Sequence, residues 1–566
     1  MNTHPSTSQP ANGAQLLIEL LKQQGIHTIF GVPGGSILPV YDALHGSGIR
    51  HILARHEQGA GFMAQGMVRA TGRPAVCMAT SGPGAVNLLT AISDAFSDSV
   101  PVIAISGQVP QALMGTAAFQ EVDIVAMTRG ITKRSFLVTD VNALPGIVDE
   151  AFRIAVEGRP GPVWIDIPKD VQLASFTGHL LPRHPLLANT PPDCTLDIDA
   201  IGQMLQGASS PGIIAGHGIV LADASSQLQH IAEQLNLPVV STLHGLGAMP
   251  ASHPLNRGMA GMHGQDAANR TLLDADVIIA LGIRFDDRLT GKITEFCPHA
   301  RFVHVDINPN EHNRIKQVEL AVVADLKVFM TQWAAQLKDV RLVDGMMGDQ
   351  VGADEPDTPG RWICSFAAQL PADAIVTTDV GQHQMWVAQW FPFTSATSFL
   401  TSGGQGTMGF GLPAAIGAAV AYPHRKVVCF TGDGSLLMNI QELATLAELN
   451  LNITIVLMNN AGLGMVRQQQ HLFFGQRFSA SQYHHTTHFG AIARAFGIGA
   501  VEASMGDGAV GVSKKELMAS SPLFINLMVD GHEMVSPIMQ PGHSIQAMMA
   551  CRHHGNTEVP RHSVLV

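Results

Sequence analysis

The sequence predicts an α/β protein built from three doubly wound parallel-sheet domains. Short apolar runs of strand length alternate with segments of helical spacing from residue 14 almost to the end, the pattern of repeated strand–helix–strand units. Several of those runs end on Gly-rich turns that open the next helix, as parallel sheets require. Two polar stretches, Pro-rich 181–192 and Gly/Asp/Pro-rich 345–360, divide the 566 residues into pieces of domain size. The expected division is a flexible tail over 1–13, domains over 14–180 and 193–340, a linker over 341–360, a third domain over 361–545 and a C-terminal tail over 546–566.

Composition excludes several classes. Apolar residues make up 46% of the chain, which suits a large α/β enzyme and not a disordered one. The net charge is −12 with no basic stripe, so nucleic acid is not an expected partner. No uninterrupted apolar run approaches the roughly 18 residues of a membrane span. The opening MNTHPSTSQPANG is polar and reads as a loose tail, not a signal peptide. Six scattered cysteines without a CxxC pair read as reduced thiols of a cytoplasmic protein. Among the 26 histidines, the groups His484, His485 and His488, and His553 and His554, lack the spacing of a zinc site and read as loop residues.

In the first domain an amphipathic helix over Ala14–Gln24 precedes a strand over Thr28–Phe30 that runs into GVPGGSI. A strand over His51–Ala54 ends just before Glu57, and a helix follows from about Gln58 to Ala70. Gly59, Ala60, Gly61, Ala64 and Gly66 make that helix small-sided, so another element is expected to pack closely on it. Read from the residues alone, Glu57 is a charge favouring the helix dipole. Strand Ala75–Ala79 leads through TSGPGAVN to a helix from Leu88; strand Val102–Ser106, the loop 115–123, a helix ending near Ile154 and strand Val163–Ile167 complete the unit.

The second domain carries strands within 211–220, 237–250, 275–288, 301–310 and 321–329, a Rossmann-like series without the GxGxxG fingerprint. In the third, strand Ala374–Thr378 ends at DVGQHQMW, and TSGGQGTMGFG opens a helix of small residues. Strand Lys426–Phe430, the turn TGDGS, a helix over Leu437–Leu449 and strand Ile453–Met458 then form one βαβ unit that closes on Asn459 and Asn460. Parallel strands open both turns at one sheet edge, so Asp433 and Asn460 are expected to be neighbours. Two hard oxygen ligands beside a Gly-rich helix start suit a Mg²⁺ holding a diphosphate, with Gly432 and Gly434 letting the backbone approach. A strand over Leu523–Val529 is the last.

The GDG…NN spacing resembles the signature of thiamine-diphosphate (ThDP) enzymes. Together RHEQGAGFMAQG, SGPGAVN, FQEVD, GRPGPVWIDIPKD and RFDDR resemble the large catalytic subunit of acetolactate synthase over nearly all of 14–540. The resemblance implies a pyrimidine-binding, an FAD-binding and a diphosphate-binding domain, in that order. It implies that Glu57 meets the aminopyrimidine ring with a raised pKa and drives cofactor activation. It places Gly35, Gln120 and Lys169 near the reacting carbons, and Phe119, Arg288, Val466 and Gln469 around the substrate. ThDP contacts are implied for Pro83, Asn87, Gly381, Gln382, His383, Gly406, Met408, Gly432, Gly434, Ser435 and Met465, with Met408 as the wedge that bends the cofactor. Mg²⁺ is implied on Asp433, Asn460 and the Gly462 carbonyl. FAD, without a net redox role, is implied on Arg159, Gly216, Gly218, Thr242, Leu243, Gly264, Arg284, Asp306 and Asp325.

The implied reaction decarboxylates pyruvate and joins the two-carbon unit to a second pyruvate, giving 2-acetolactate, or to 2-oxobutyrate, giving 2-aceto-2-hydroxybutyrate, in branched-chain amino-acid biosynthesis. The implied assembly is a homodimer or homotetramer whose subunits share each site, with a small regulatory subunit as a further partner. Three positions depart from the family's usual residues: His217 for Gly, Ala461 for Glu and Gln469 for Trp. The last removes an apolar contact for the 2-oxobutyrate ethyl group, so little preference for that acceptor is expected. Pyruvate oxidase shares both cofactors and is the alternative among enzymes. Glyoxylate carboligase typically lacks the glutamate that Glu57 supplies. An inactive ThDP-fold binding protein is opposed by Glu57, Asp433 and Asn460.

Overall fold

A computed structural model describes residues 10–178, 193–337, 356–505 and 511–548. The stretch 181–192, most of the expected linker, residues 1–9 of the N-terminal tail and the C-terminal tail from 549, with Cys551, His553 and His554, lie outside the described residues.

Three six-stranded sheets account for the architecture, and every pairing in them is parallel. The first holds β1 (Thr28–Gly31), β2 (Arg50–Leu53), β3 (Ala75–Ala79), β4 (Val102–Gln108), β5 (Arg134–Leu137) and β6 (Val163–Pro168), in the order β2-β1-β3-β4-β6-β5. The second holds β7 (Pro211–Ala215), β8 (Val239–Ser241), β9 (Asn256–Met259), β10 (Val277–Leu281), β11 (Arg301–Asp306) and β12 (Leu320–Val323). Its order, β12-β11-β10-β7-β8-β9, is that of dinucleotide-binding sheets. The third holds β13 (Ile375–Thr378), β14 (Phe399–Leu400), β15 (Val427–Gly432), β16 (Ile453–Asn459), β17 (Gly499–Ser504) and β18 (Leu523–Met528). Its order, β14-β13-β15-β16-β18-β17, repeats the first sheet strand for strand.

The strands foreseen from sequence include the buried central ones, whose two covered faces demand continuous apolar runs. Those not foreseen, β5, β9, β14 and β17, lie at sheet edges. β17 is half-exposed along its length and β14 has two residues, so neither leaves a periodic signal. Two helices differ from expectation. The helix expected from Leu88 starts at Pro83, where proline's fixed φ suits a first turn. The single helix expected over Leu437–Leu449 is two, Asp433–Leu436 and Glu442–Leu449. Between them Asn439 donates its amide to the Gly409 carbonyl at 2.8 Å and to Gln58 Oε1 at 3.1 Å. Leu436, Leu443 and Leu446 are all buried, so the apolar spacing runs through the break and conceals it.

The small-sided helix, Glu57–Thr71, packs on the helix Gly411–Ala421 of the third sheet's unit. A Cβ on Gly66 would overlap the Ala414 carbonyl, and one on Gly417 would overlap the Met63 carbonyl. The helices meet backbone to backbone at these two glycines, and one hydrophobic core joins the two sheets through Met63, Ala64, Ala415 and Ile416. Gly66→Val is therefore expected to cost about 1–3 kcal/mol, read as a lower denaturation midpoint. Gly202→Ala, in a helix with open space at the Cβ position, should stabilise slightly or do nothing. Among the described residues no helix is long and apolar enough to cross a membrane.

Candidate active site

Doubly wound sheets bind ligands outside the carboxyl ends of their strands, where the strand order reverses. In the third sheet that point lies between β13 and β15, and the chain leaves these strands at Asp379–His383 and Gly432–Ser435. Ser435 Oγ donates to the Val380 carbonyl at 2.9 Å and ties the two turns together. β16 pairs with β15, Met458 opposite Gly432, so the turn after Asn459 lies alongside. Gly462 N–H donates to Asp433 Oδ2 at 2.8 Å, so the turn that carries Asn460 meets Asp433, and both residues line one cleft. Gly434 N–H donates to Asp433 Oδ1 at 3.0 Å. Asn460 Nδ2 donates to Gln382 Oε1 at 2.9 Å, leaving its carbonyl oxygen as the atom a cation would use. Burial raises the Asp433 carboxyl to about 6, the behaviour of a buried acid without a countercharge.

A cleft of about 1100 Å³ runs from this point to the second sheet. One arm is lined by Gly381, Gln382, His383, Gly406, Met408, Gly432, Asp433, Gly434, Ser435, Asn460, Gly462, Met465, Val466 and Gln469. The other passes the reversal point between β7 and β10, and Arg159, His217, Gly218, Thr242, Leu243, Arg284 and Asp306 line it, with Arg288 in the same cleft. Gly216, Gly264 and Asp325 do not line it. Gly216 and Gly264 allow backbone packing, against Gly282 and Ala260 respectively. Asp325 caps the helix Leu326–Gln336, accepting from Val328 N at 3.1 Å.

The remaining predicted residues gather at the carboxyl edge of the first sheet. Glu57 opens its helix, and its Oε2 accepts from Asn87 Nδ2 at 2.9 Å. A Cβ on Gly84 would lie 3.3 Å from Glu57 Oε1, and one on Gly82 would lie 2.9 Å from Gln120 Cα. Pro83 begins the helix that carries Asn87. Gly35 faces open space, and the Ser36 carbonyl beside it accepts from Gln172 Nε2 at 2.8 Å, which brings in the helix that Lys169 begins. Phe119 is 87% exposed. None of this group lines the cleft that Asp433 lines.

Family models described as the N-terminal thiamine pyrophosphate (TPP) binding domain, the central domain and the C-terminal TPP binding domain of thiamine pyrophosphate enzymes match residues 11–127, 198–333 and 379–527. The chain is 46% identical to the acetolactate synthase isozyme 1 large subunit of Escherichia coli, over 95% of this chain and 97% of that one. It is 44% identical to the isozyme 2 large subunit of the same organism, over 95% and 99%. It is 41% identical to an acetolactate synthase of Mycobacterium bovis, over 96% and 92%. The chain belongs to the acetolactate synthase family.

The first arm fits the ThDP that this family uses. His383 is held neutral by burial, which lowers it to about 3, and its Nε2 finds no hydrogen-bond partner among the described residues. A donor or acceptor left bare at the sheet's reversal point suits a bound phosphate group. Gly381 has φ of +152°, and a Cβ on Gly432 would lie 3.0 Å from the His383 ring, so both glycines keep the cradle open. In the second arm burial, and then the charge of Arg284, lower the Arg159 guanidinium's pKa against the opposing charges of Glu311, paired with it at 3.5 Å, and Asp306; Arg159 and Arg284 are the donors there that the phosphates of a dinucleotide would use.

Several residues of the site escaped the sequence reading. Glu442 accepts from Arg55 N at 2.9 Å and His56 N at 3.1 Å, fixing the helix start that carries Glu57. Nothing local marks a capping residue so distant in the chain. Asp379 is buried, accepts from Gly409 N at 2.7 Å and Thr431 Oγ1 at 3.2 Å, and so ties the turn of Gly406 and Met408 to the sheet. An acid at the end of an apolar strand was the available signal. Tyr483, whose hydroxyl would lie 2.9 Å from a Cβ on Gly434, left none.

Proposed function

We propose that this chain is the catalytic subunit of an acetolactate synthase, decarboxylating pyruvate and condensing the two-carbon unit with a second 2-oxo acid in branched-chain amino-acid biosynthesis. The observation that carries the reading is the pairing of near full-length similarity to acetolactate synthases with a glutamate and a metal-type carboxylate at two separate sheet edges. When bound, ThDP supplies the carbon nucleophile and the sink for the electrons that CO₂ leaves behind.

Glu57 holds a proton at the aminopyrimidine ring nitrogen, and Asn87 orients its carboxyl. Asp433, the Asn460 side-chain carbonyl and the Gly462 backbone oxygen would hold Mg²⁺, and His383 and the adjacent glycine turns would hold the cofactor's diphosphate. Met408, at the cleft wall, would support the cofactor. Arg159, Thr242, Leu243, Arg284 and Asp306, which line the second arm, would hold FAD there. Gly35, Gln120 and Lys169 approach the substrate from one side; Arg288, Val466 and Gln469 approach from the other and meet its carboxylate and side chain. These walls would keep water from the reacting carbon.

Glu57 is absent from the cleft of its own chain, so a second copy brings it there, and Phe119 and the 37% exposed Val86 lie on the covered face. The assembly is a homodimer or a homotetramer of such pairs. Relatives are named large subunits, and a small regulatory partner is proposed for this chain on that ground.

The direct test is acetoin colour formation by purified protein with pyruvate, ThDP, Mg²⁺ and FAD. Acetolactate formation is expected; pyruvate-driven flavin reduction without it would make the protein a pyruvate oxidase instead. Acceptor choice is a second test. Gln469 lines the cleft and offers a polar amide in place of an apolar face. Gln469→Trp is expected to raise selection of 2-oxobutyrate over pyruvate by about 5–30-fold, equivalent to about 1–2 kcal/mol of apolar contact, in a two-substrate competition assay. Equal selection by both proteins would remove Gln469 from the acceptor pocket.

A further inference from the structure

The segment Ser97–Ser99 is gripped from both arms of the cleft. From the second arm, Arg284 Nη1 donates to the Ser97 carbonyl at 2.6 Å and Arg159 Nη2 donates to the same oxygen at 3.1 Å. Arg159 Nε adds a bond to Ser99 Oγ at 2.9 Å. From the first arm, buried Asp98 accepts from Gly403 N at 3.1 Å and Gly404 N at 2.8 Å, the start of the turn that continues to Gly406 and Met408. Asp94, one helical turn earlier, accepts from Thr407 Oγ1 at 2.8 Å and from Ser402 Oγ. Arg69 donates to Asp98 at 2.9 Å. His244 Nε2 lies 3.2 Å from the same carboxylate, and its ring stacks on His217 at 4.7 Å.

There is no slack in this junction. A Cβ on Gly404 would overlap Ser97 Oγ, and one on Gly403 would overlap the His244 ring. Ser99 holds a left-handed φ of +61°. Arg159 is spent on the segment through Nε and Nη2 and on Glu311 through Nη1 at 3.5 Å, whereas Arg284 uses only Nη1 and keeps its other N–H groups for an anion. An anion beside Arg284 would add to the Glu311 and Asp306 carboxylates in offsetting the repulsion between the two cations and would hold both on the Ser97 carbonyl.

We propose that the Ser97–Ser99 junction couples the two cofactor arms: a flavin dinucleotide held by Arg159 and Arg284 fixes this segment, Asp98 passes the constraint to the 402–408 turn, and each cofactor tightens the binding of the other. This rests on the reading of the second arm as the flavin site. Asp98 and His244 are positioning residues here. Coupling of this kind is reciprocal by thermodynamic necessity and travels through contiguous contacts.

The test measures the FAD dissociation constant by flavin fluorescence with and without Mg²⁺ and ThDP, and the ThDP constant by calorimetry with and without FAD. The two constants are expected to tighten by the same factor, about fivefold or more. Asp98→Asn should bring that factor within about twofold of unity while FAD alone still binds. His244→Ala is the second variant should Asp98→Asn fail to fold, and should also lower the factor; His244→Gln, whose amide still reaches Asp98, should retain it. Wild-type protein that binds both cofactors without mutual effect overturns the coupling and leaves the flavin site standing. Variants that weaken both affinities with the factor intact also overturn it. Protein that binds no flavin overturns the flavin reading and the coupling with it.

Discussion

Glu57→Gln is expected to lower acetolactate formation by about 10²–10⁴-fold while leaving the fold and cofactor affinity nearly unchanged. The amide is isosteric, and its carbonyl oxygen can still accept from Asn87 Nδ2, now 2.9 Å from Glu57 Oε2. The helix start is secured by Glu442 through Arg55 N and His56 N, so it does not depend on the Glu57 charge. What the amide cannot do is hold and return a proton at the aminopyrimidine ring. The loss should therefore fall on kcat, and hydrogen–deuterium exchange at the thiazolium C2 of bound ThDP should slow in parallel. Exchange at the wild-type rate would refute the assigned role.

Asp433→Ala is expected to weaken Mg²⁺-dependent ThDP binding by at least about 100-fold, because a buried cation then loses its one charged protein ligand. The native carboxyl also predicts a pH dependence. Burial raises it to about 6 in the metal-free protein, against 3.8 as its ordinary value. Between these values the folded state holds a proton that the unfolded state has released. Metal-free stability therefore falls as pH rises through that window and levels off above it. Mg²⁺ takes only the ionised form, so its affinity should climb by up to about tenfold per pH unit below 6 and flatten above. Asp433→Asn should abolish that component of the stability slope. Mg²⁺ affinity independent of pH from 5 to 7 would contradict the assignment.

The sequence carried more of the third domain than of the junctions between domains. Asp433 and Asn460 could be paired because both stand at ends of central strands, where parallel topology dictates proximity. Edge strands such as β17 escaped because a half-exposed strand needs no apolar run. The small-sided helix announced a close partner but could not name it; only the fold sets Gly66 against Ala414. Glu442 and Asp98 escaped for a related reason. Their partners lie hundreds of residues away, and an acid in a helix looks the same whether it meets solvent or caps another domain. Of the family's implied flavin contacts, Gly216, Gly264 and Asp325 do not line the cleft; Gly216 and Gly264 allow close packing and Asp325 caps a helix, and a motif does not separate such roles from ligand contact.

The account depends most on each site being assembled from two copies of the chain. Mixing Glu57→Gln with Asp433→Ala protein, each inactive alone, and letting subunits exchange tests that directly. In a mixed pair one site receives both native residues, so activity should return to as much as about a quarter of wild type in a random mixture of symmetric dimers. If the mixture stays as inactive as its components after exchange is verified by labelled subunits, Glu57 and Asp433 act within one chain and the shared site is wrong.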